Sequence, residues 1–423
     1  MFLKESGRFL ITTLADRKQA VDIRIVFAPQ YPRRVNLKGD SMMKDQTWKV
    51  YNPGGDRRVI VTRELPGERW LEILIHAGLR VEVRMSPEKP SIEGIISAIG
   101  NRCSGAIGQL TETWQDGLFS VLADAGGKVY SNYAVGYNNV DIDAATRHGI
   151  CVGNTPGVLT ETTAEMAVAL TFAAARRVVE ADRFTREGRF TGWLPTLFLG
   201  ELLYRKTVGV IGAGRIGAAY ARMMVEGHKM DLVYYDPCRN SALETYVAAY
   251  ADFLKSYGDE PVTCKRAQSV EELLQTADLV SLHSVLDDST RHMINADRLG
   301  GMKKNAILIN ASRGPLIDEE ALVEHCRKNP DFRTGLDVFE DEPELKPGLT
   351  GLDNVVIVPH LGSATGWTRE GMAILAAENV AGILMKYPAW KRETRLPFLG
   401  DNPPKAAPSI VNSEEMCIPE YAG

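Results

Sequence analysis

The sequence has no apolar run near the roughly 20 residues that a helix needs to cross a bilayer. It also lacks an excess of positive charge, because acidic residues outnumber basic ones and leave a net charge of −5. Such a chain repels a polyanion unless its basic residues are clustered. We therefore expect neither a membrane nor a nucleic acid as partner, although one arginine in a cleft can still bind a small carboxylate.

Cysteine is scarce, and its six copies are scattered along the chain. They form no C-x-x-C pair, and none lies at zinc-ligand spacing from a histidine. We therefore predict no metal site and interpret the cysteines as reduced thiols.

What the sequence does have is length, since 423 residues with 44% hydrophobic content can bury two cores. Residues 1–45 are rich in Lys and Arg and are predicted as an N-terminal extension, either a targeting segment or a leader without structure. We predict a substrate domain from 46–158 plus 362–400, and a dinucleotide-binding domain from 159–361 that includes a linking helix. Residues 401–423 are predicted as a C-terminal tail.

Short apolar runs alternate with helix-like stretches over 58–153, and this rhythm restarts at Lys206. The alternation is typical of βα units around a parallel sheet, and continuous apolarity in the second set indicates strands covered on both faces. One long helix is predicted over 161–184 and another over 368–384, which could return to the first domain. We therefore predict an α/β protein with two doubly wound parallel-sheet domains.

A glycine-rich loop begins the second domain. Gly212, Gly214 and Gly217 form G-x-G-x-x-G between an apolar strand and a helix, and Asp236 ends the next strand 19 residues later. In this context the pattern predicts a dinucleotide site, with the pyrophosphate at the helix N-terminus and the acid on the adenosine ribose. The charge of Asp236 favours NADH over NADPH, although Arg239 leaves room for NADPH.

Polar residues lie at, or within two residues of, five predicted strand ends in the second domain, where open parallel sheets bind ligands. Arg313 offers a planar, permanently charged group suited to a carboxylate. The pattern leaves two histidines equally eligible as catalyst. The five residues are Asp236, His283, Arg313, Asp337 and His360.

An acidic loop follows the strand that ends near Asp337. Glu340, Asp341 and Glu342 stand in a row before Pro343. The pattern alone does not select among the three.

Taken together, six motifs resemble the D-isomer-specific 2-hydroxyacid dehydrogenases, and features along nearly the whole chain resemble the plant-type hydroxypyruvate reductase branch of that family. The resemblance implies a discontinuous, flavodoxin-like substrate domain and a Rossmann NAD-binding domain. The motifs are AVGYNNVD (134–141), LTETTAE (159–165), VIGAGRIG (210–217), LINASRGPLIDEEAL (308–322), GLDVFEDEP (335–343) and PHLGSAT (359–365).

The resemblance also implies roles for individual residues. Arg313, Glu342 and His360 match the catalytic three, with Arg313 binding the substrate carboxylate, His360 donating the proton and Glu342 orienting the histidine ring. Backbone amides of Val135 and Gly136 would hold the same carboxylate. The implied cofactor contacts are Gly212, Gly214, Arg215, Ile216, Gly217, Asp236, Ala311, Ser312, Arg313, Asp337, His360 and Gly362.

The implied activity is NADH-dependent reduction of hydroxypyruvate to D-glycerate, of the photorespiratory type, with glyoxylate reduced to glycolate as well. A glyoxylate reductase or another D-2-hydroxyacid dehydrogenase is the alternative if the protein is an enzyme. A protein that senses NADH through the same fold and uses it to set an interface is the alternative from another class.

Two further expectations concern assembly and location. The 161–184 region and the nearby glycine-rich turns suggest a homodimer, which the family also shows. Plant members usually end in Ser-Lys-Leu, whereas this sequence ends Glu-Tyr-Ala-Gly and has the N-terminal extension. We therefore expect a mitochondrial location, with peroxisome or cytoplasm as alternatives.

Overall fold

The computed structural model describes residues 48–422. The N-terminal extension predicted for residues 1–45, with its targeting role, lies outside the described residues. Within 48–422 the strands form two sheets, and no helix in this range is long and apolar enough to cross a bilayer.

The first sheet has the strand order β1-β3-β2-β4-β5-β6, in which β1 pairs antiparallel with β3 and every other pairing is parallel. The parallel strands alone have the 2-1-3-4-5 order of flavodoxin-like sheets. The strands are β1 (Trp48–Tyr51), β2 (Arg57–Val61), β3 (Leu79–Arg84), β4 (Gly105–Gln109), β5 (Val129–Tyr133) and β6 (Cys151–Gly153).

Four helices connect these strands. Two have side-chain N-caps: Ser91 accepts from the Gly94 amide at 3.1 Å, and Asp141 accepts from the Ala144 amide at 2.8 Å. Each cap satisfies a donor that the first helical turn leaves free, so it fixes where its helix begins. The helices are α1 (Arg69–His76), α2 (Ile92–Ile99), α3 (Asp116–Asp124) and α4 (Ile142–Arg147).

The single helix predicted over 161–184 is wrong, because the structure has two, α5 (Thr160–Ala175) and α6 (Val178–Arg186). Arg177 separates them with a φ of 54°, a left-handed conformation that cannot continue a right-handed helix. Helix α5 packs on the second sheet.

All seven strands of the second sheet are parallel, in the order β13-β12-β11-β10-β7-β8-β9. Chain direction across the sheet reverses between β7 and β10, which is the switch point where such sheets bind dinucleotides. Every residue of β10, β11 and β12 is buried, as the continuous apolarity predicted. The strands are β7 (Thr207–Ile211), β8 (Asp231–Tyr235), β9 (Cys264–Arg266), β10 (Leu279–Leu282), β11 (Ile307–Asn310), β12 (Arg333–Leu336) and β13 (Val355–Ile357).

The remaining helices include one that returns to the first sheet. Helix α12 packs between α1 on one side and β4 and β5 on the other, so that most of its residues are buried. The chain then runs along β6, where Val411 donates its amide to the Val152 carbonyl at 2.7 Å. These helices are α7 (Arg215–His228), α8 (Ser241–Ser256), α9 (Val270–Thr276), α10 (Ala296–Gly300), α11 (Glu319–Lys328) and α12 (Gly366–Leu384).

The prediction of two parallel-sheet α/β domains is therefore confirmed. Each sheet has its own cores, and residues that follow the carboxyl ends of strands in both sheets line one shared cavity.

Candidate active site

The shared cavity has a volume of about 480 Å³. One wall is made by residues that follow β2, β4 and β5 of the first sheet. The other wall follows β10, β11, β12 and β13 of the second sheet, with Ile216 from the start of α7. A crevice between two sheets at their strand ends is where α/β proteins place small ligands.

Arg313 connects the two walls. It belongs to the second sheet, but its guanidinium lies against the loop after β5, so closely that a Cβ on Gly136 would be 1.8 Å from Arg313 Nη2. Its Nη1 donates to the Ser312 carbonyl at 2.7 Å and its Nε to Asn138 Oδ1 at 3.4 Å. Burial lowers the pKa of Arg313, and the negative charge of Glu342 opposes that shift.

Arg313 and His360 each lie three residues beyond a strand rather than within the two residues that we predicted, since β11 ends at Asn310 and β13 ends at Ile357. Asn310 explains the first case. Its side chain accepts from the Ser312 amide at 3.1 Å and donates to the Arg313 carbonyl at 2.8 Å, which turns the chain before Arg313.

His360 and Glu342 form a pair across the cavity rim. The Nδ1 atom of His360 is 2.9 Å from Oε2 of Glu342, and Oε1 accepts from the Phe339 amide at 3.0 Å. Burial pushes the pKa of the Glu342 carboxyl up, but the hydrogen bond and charge of His360 outweigh it and hold that pKa below its ordinary value. The carboxylate is thus ionised near neutral pH and turns the other ring nitrogen away from itself.

The backbone of His360 is strained and is held by Asp337. His360 has a φ of 53°, which is unfavourable for a side chain with a Cβ, and its amide donates to the Asp337 carbonyl at 2.9 Å. The buried Asp337 carboxylate accepts from the Leu361 amide and from the Gly362 amide at 2.7 Å. Burial raises the pKa of Asp337 despite these donors. Asp337 therefore fixes the loop that carries the histidine.

His283, the other candidate, also lines the cavity but differs in its chemistry. Its Nε2 lies 2.9 Å from Ser281 Oγ, and its Nδ1 is buried without a partner among the described residues. Burial lowers the pKa of His283 to about 3. A ring that stays neutral at ordinary pH cannot act as a proton donor in the way an imidazolium can.

The contacts of the three acids in the acidic loop show which of them pairs with His360. Glu340 pairs with His292 at 2.7 Å, and Asp341 pairs with Lys346 at 2.9 Å. Only Glu342 of the three acids is within hydrogen-bond distance of His360.

The glycine-rich loop forms a tight passage into α7. Gly212 has a φ of 90°, and a Cβ there would lie 2.6 Å from the Ser284 amide nitrogen. A Cβ on Gly217 would lie 2.0 Å from the Gly212 carbonyl oxygen, whereas one on Gly214 would meet no atom within 4 Å. The first and last glycines are thus required by packing, and the open space at Gly214 lies at the N-terminus of α7, where a pyrophosphate fits.

Asp236 lies one residue beyond β8, beside this loop. Its carboxylate accepts from the Ala213 amide at 2.9 Å and from the Cys238 amide at 2.8 Å. Arg239, which could have bound a 2′-phosphate, instead donates two hydrogen bonds to Glu244 at 2.8 and 2.6 Å.

The structure brings most of the predicted site residues to one cavity. Those that follow β8 or form the glycine loop and the start of α7, namely Gly212, Gly214, Arg215, Gly217 and Asp236, lie outside its lining. The predicted residues that do line it are Val135, Gly136, Ile216, Ala311, Ser312, Arg313, Asp337, Glu342, His360 and Gly362.

Several lining residues were not predicted, among them Arg63, Gln109 and Asn138. Arg63 lies two residues beyond β2, and Gln109 is the last residue of β4. The strand-end rule that found the second-sheet residues would have found both had it been applied to the first sheet.

The residues present fit a dinucleotide: a glycine passage at a helix N-terminus, an acid beyond the next strand, and a crevice at the switch point. Within residues 48–422 no group of His, Cys, Asp and Glu side chains could hold a metal ion. Fold and crevice together define a dinucleotide-dependent oxidoreductase.

Comparison with known proteins gives the family. Residues 168–362 match the D-isomer specific 2-hydroxyacid dehydrogenase, NAD binding domain. A peroxisomal glycerate dehydrogenase of Arabidopsis thaliana is 58% identical over 382 residues, which cover 89% of this chain and 99% of that protein. The chain belongs to the D-isomer specific 2-hydroxyacid dehydrogenase family.

Relatives with lower sequence identity also match most of this chain. A glyoxylate reductase of Korarchaeum cryptofilum is 42% identical over 85% of this chain and 97% of its own length. The crystal structure of the TT0316 protein from Thermus thermophilus superposes with a TM-score of 0.70, at 36% identity, over 84% of this chain and 99% of that one. The match spans both sheets.

One expectation is wrong. We favoured a mitochondrial location, but the Arabidopsis relative that matches most of this chain is named as peroxisomal.

Proposed function

We propose that this protein reduces hydroxypyruvate to D-glycerate with NADH, and glyoxylate to glycolate less well, in the photorespiratory role that the resemblance implied. The observation that carries the proposal is the meeting of Arg313, His360 and Glu342 at one cavity, with the guanidinium pressed against Gly136. The 58% identity to a protein named glycerate dehydrogenase supports this substrate over glyoxylate alone.

Substrate binding rests on Arg313 and the loop after β5. The carbonyls of Val135 and Gly136 are held by Asn154 at 2.8 Å and Asn132 at 3.1 Å. Within residues 48–422 neither amide of this pair has a protein acceptor. Two such amides beside a guanidinium make a carboxylate site, with the guanidinium also polarising the neighbouring carbonyl.

Proton transfer rests on His360. Its Nδ1 is bonded to Glu342, so its Nε2 is the atom that faces the substrate carbonyl and donates the proton as an alcohol forms. The negative charge of Glu342 stabilises the imidazolium, and Asp337 keeps the loop in place. The glycine passage and Asp236 would hold a nicotinamide cofactor, which would supply the hydride when bound. In the oxidation direction His360 Nε2 takes the proton back.

We propose NADH as the preferred cofactor. Asp236 would accept from the ribose hydroxyls, and its negative charge would repel a 2′-phosphate. Arg239, the nearby cation, is paired with Glu244.

We also propose a homodimer. Large apolar side chains are exposed along the segment after α6, with Trp193 82%, Leu202 70% and Leu199 63% exposed. A cluster of this kind on a protein surface marks an interaction site. Light scattering that shows only monomer at micromolar concentration would exclude it.

The test is NADH oxidation with hydroxypyruvate, glyoxylate and pyruvate, on the wild type and on His360→Ala. We expect hydroxypyruvate to be the best substrate and the variant to lose at least about 100-fold in kcat. Equal rates for the two proteins would remove His360 from the acid role. A wild type that prefers glyoxylate would contradict the proposed substrate.

A further inference from the structure

Two polar side chains that the mechanism does not use face the same cavity. Arg63 and Gln109 line it from the first sheet. Within residues 48–422 no side chain or carbonyl forms a hydrogen bond or an ion pair with Arg63, and its Nε is buried. The Nε2 of Gln109 is also buried and has no acceptor there. Buried donors without acceptors are rare and costly, so each one needs an explanation.

The two residues lie side by side. Val61 of β2 is in register with Ile107 of β4, so Arg63 and Gln109, each two positions further on, are at the same level of the sheet. Gln109 is in turn paired with Tyr133, two residues before Val135. Gln109 therefore lies one strand spacing of about 4.8 Å, and Arg63 two spacings, from the strand that leads into the proposed carboxylate loop, and both residues line the same cavity as that loop.

A nearby acid does not satisfy Arg63. Burial raises the pKa of the Glu112 carboxyl, and the charge of Arg63 is among the influences that oppose the rise. Yet the oxygens of Glu112 accept from Thr62 Oγ1 and from Trp114 Nε1 at 3.1 Å. Arg63 therefore has no acidic partner for its guanidinium within residues 48–422, and its side chain lines the cavity.

We infer that Arg63 and Gln109 bind the oxygen at C3 of the substrate and so select 2-oxo acids that carry a C3 hydroxyl. This inference rests on the proposed function. The acid has three polar groups, and two are assigned: the carboxylate to Arg313 and the loop amides, the carbonyl to Arg313 and His360. The C3 hydroxyl is the group left over, and the unused donors of Arg63 and Gln109 are its match.

The experiment compares kcat/KM for three acids that differ only at this position: hydroxypyruvate has a hydroxymethyl group, pyruvate a methyl group and glyoxylate only hydrogen. Arg63→Met keeps the length of the side chain and removes its donors. We expect it to lose about 10- to 100-fold on hydroxypyruvate and to stay within about 3-fold on the other two. Gln109→Met should lose about 3- to 10-fold, again on hydroxypyruvate only.

Arg147→Met is the matched control, because Arg147 is an exposed arginine of the same domain that pairs with Asp116 at 3.1 Å. Arg147→Met should leave kcat/KM unchanged for all three substrates. The melting temperature separates a binding role from a structural one. Since Arg63 has no partner within the described residues, Arg63→Met should not lower the melting temperature, whereas loss of a structural arginine would.

The two possible failures can be told apart. If the wild type does not prefer hydroxypyruvate, the proposed function fails and this inference fails with it. If the wild type does prefer hydroxypyruvate, but Arg63→Met lowers kcat/KM equally for all three substrates or for none of them, the inference alone is overturned. A fall confined to hydroxypyruvate in both variants supports it.

Discussion

The pairing of Glu342 with His360 makes the strongest prediction, tested by Glu342→Gln. Glutamine keeps the shape and can still accept from the Phe339 amide, which is 3.0 Å from Oε1. At the other atom the carboxylate becomes an amide that donates to His360 Nδ1. That donor stabilises the neutral ring, whereas the carboxylate stabilises the imidazolium. The variant should therefore keep its structure, but its His360 should no longer be stabilised in the protonated form that donates the proton.

The size of the effect follows from the geometry. A hydrogen bond between charged groups contributes about 1.5 to 3 kcal/mol. The side chains of His360 and Glu342 are 31% and 33% exposed, so solvent screening places the pair in the lower half of that range. About 1.5 to 2 kcal/mol corresponds to a loss of about 10- to 30-fold in kcat/KM at neutral pH.

The pH dependence of the rate shows in which direction the Glu342–His360 pair acts. The pKa of Glu342 is lowered, so the ionised pair is present above the ordinary carboxyl range and is lost only as pH falls through the lowered value. Glu342→Gln should therefore lose kcat/KM across the whole pH range above that value, in which the wild-type carboxylate is ionised.

The assay is steady-state NADH oxidation with hydroxypyruvate from mildly acidic to alkaline pH. Asp341→Asn is the control, because Asp341 is a neighbouring acid that pairs with Lys346 rather than with His360. It should leave the profile where it is. The reasoning is refuted if Glu342→Gln keeps the wild-type profile, or if Asp341→Asn shifts it as much.

Three further predictions concern the wider site. Gly136→Ala places a Cβ 1.8 Å from Arg313 Nη2, so the guanidinium must move and kcat/KM should fall about 100-fold. Glu244→Gln releases Arg239 from its ion pair, so the ratio of kcat/KM for NADPH over NADH should rise about 5-fold. Burial lowers the pKa of His283 to about 3, so the unfolded chain takes up a proton that the folded one refuses as pH falls below the ordinary histidine value. In denaturant titrations the wild type should lose about 2 kcal/mol more unfolding free energy than His283→Leu between pH 7 and pH 5.

Each of these three predictions would be contradicted by a specific result. A Gly136→Ala enzyme within 3-fold of the wild type would mean that the guanidinium has another productive position. An unchanged cofactor ratio in Glu244→Gln would show that Arg239 does not reach a 2′-phosphate. Parallel loss of stability with pH in His283→Leu and the wild type would show that His283 is not held neutral.

The fold was largely predictable, because its main determinants are local in sequence. Buried parallel strands need continuous apolar runs, and those runs predicted six of the seven strands of the second sheet. The exception is β9 (Cys264–Arg266), an edge strand without an apolar run and without a fully buried residue. The break between α5 and α6 was not predictable, since both sides have helical composition. Arg177 is held in its left-handed conformation by partners that include Phe198, whose ring lies 5.1 Å from the guanidinium and 21 positions along the chain.

The site was predictable only as far as strand ends could be located. The rule placed His283 and His360 alike, because both follow apolar runs of the same sheet. What separates them is not local. His283 packs beside Tyr220, at 5.1 Å between ring centroids, with a nitrogen sealed from water, whereas His360 is partly exposed and meets a carboxylate 18 positions earlier. Burial decides which ring can carry a proton, and burial is set by helices that the strand-end pattern does not contain. A sequence rule can therefore find the edge of the sheet where the acid lies, but only the packing around each ring identifies the acid.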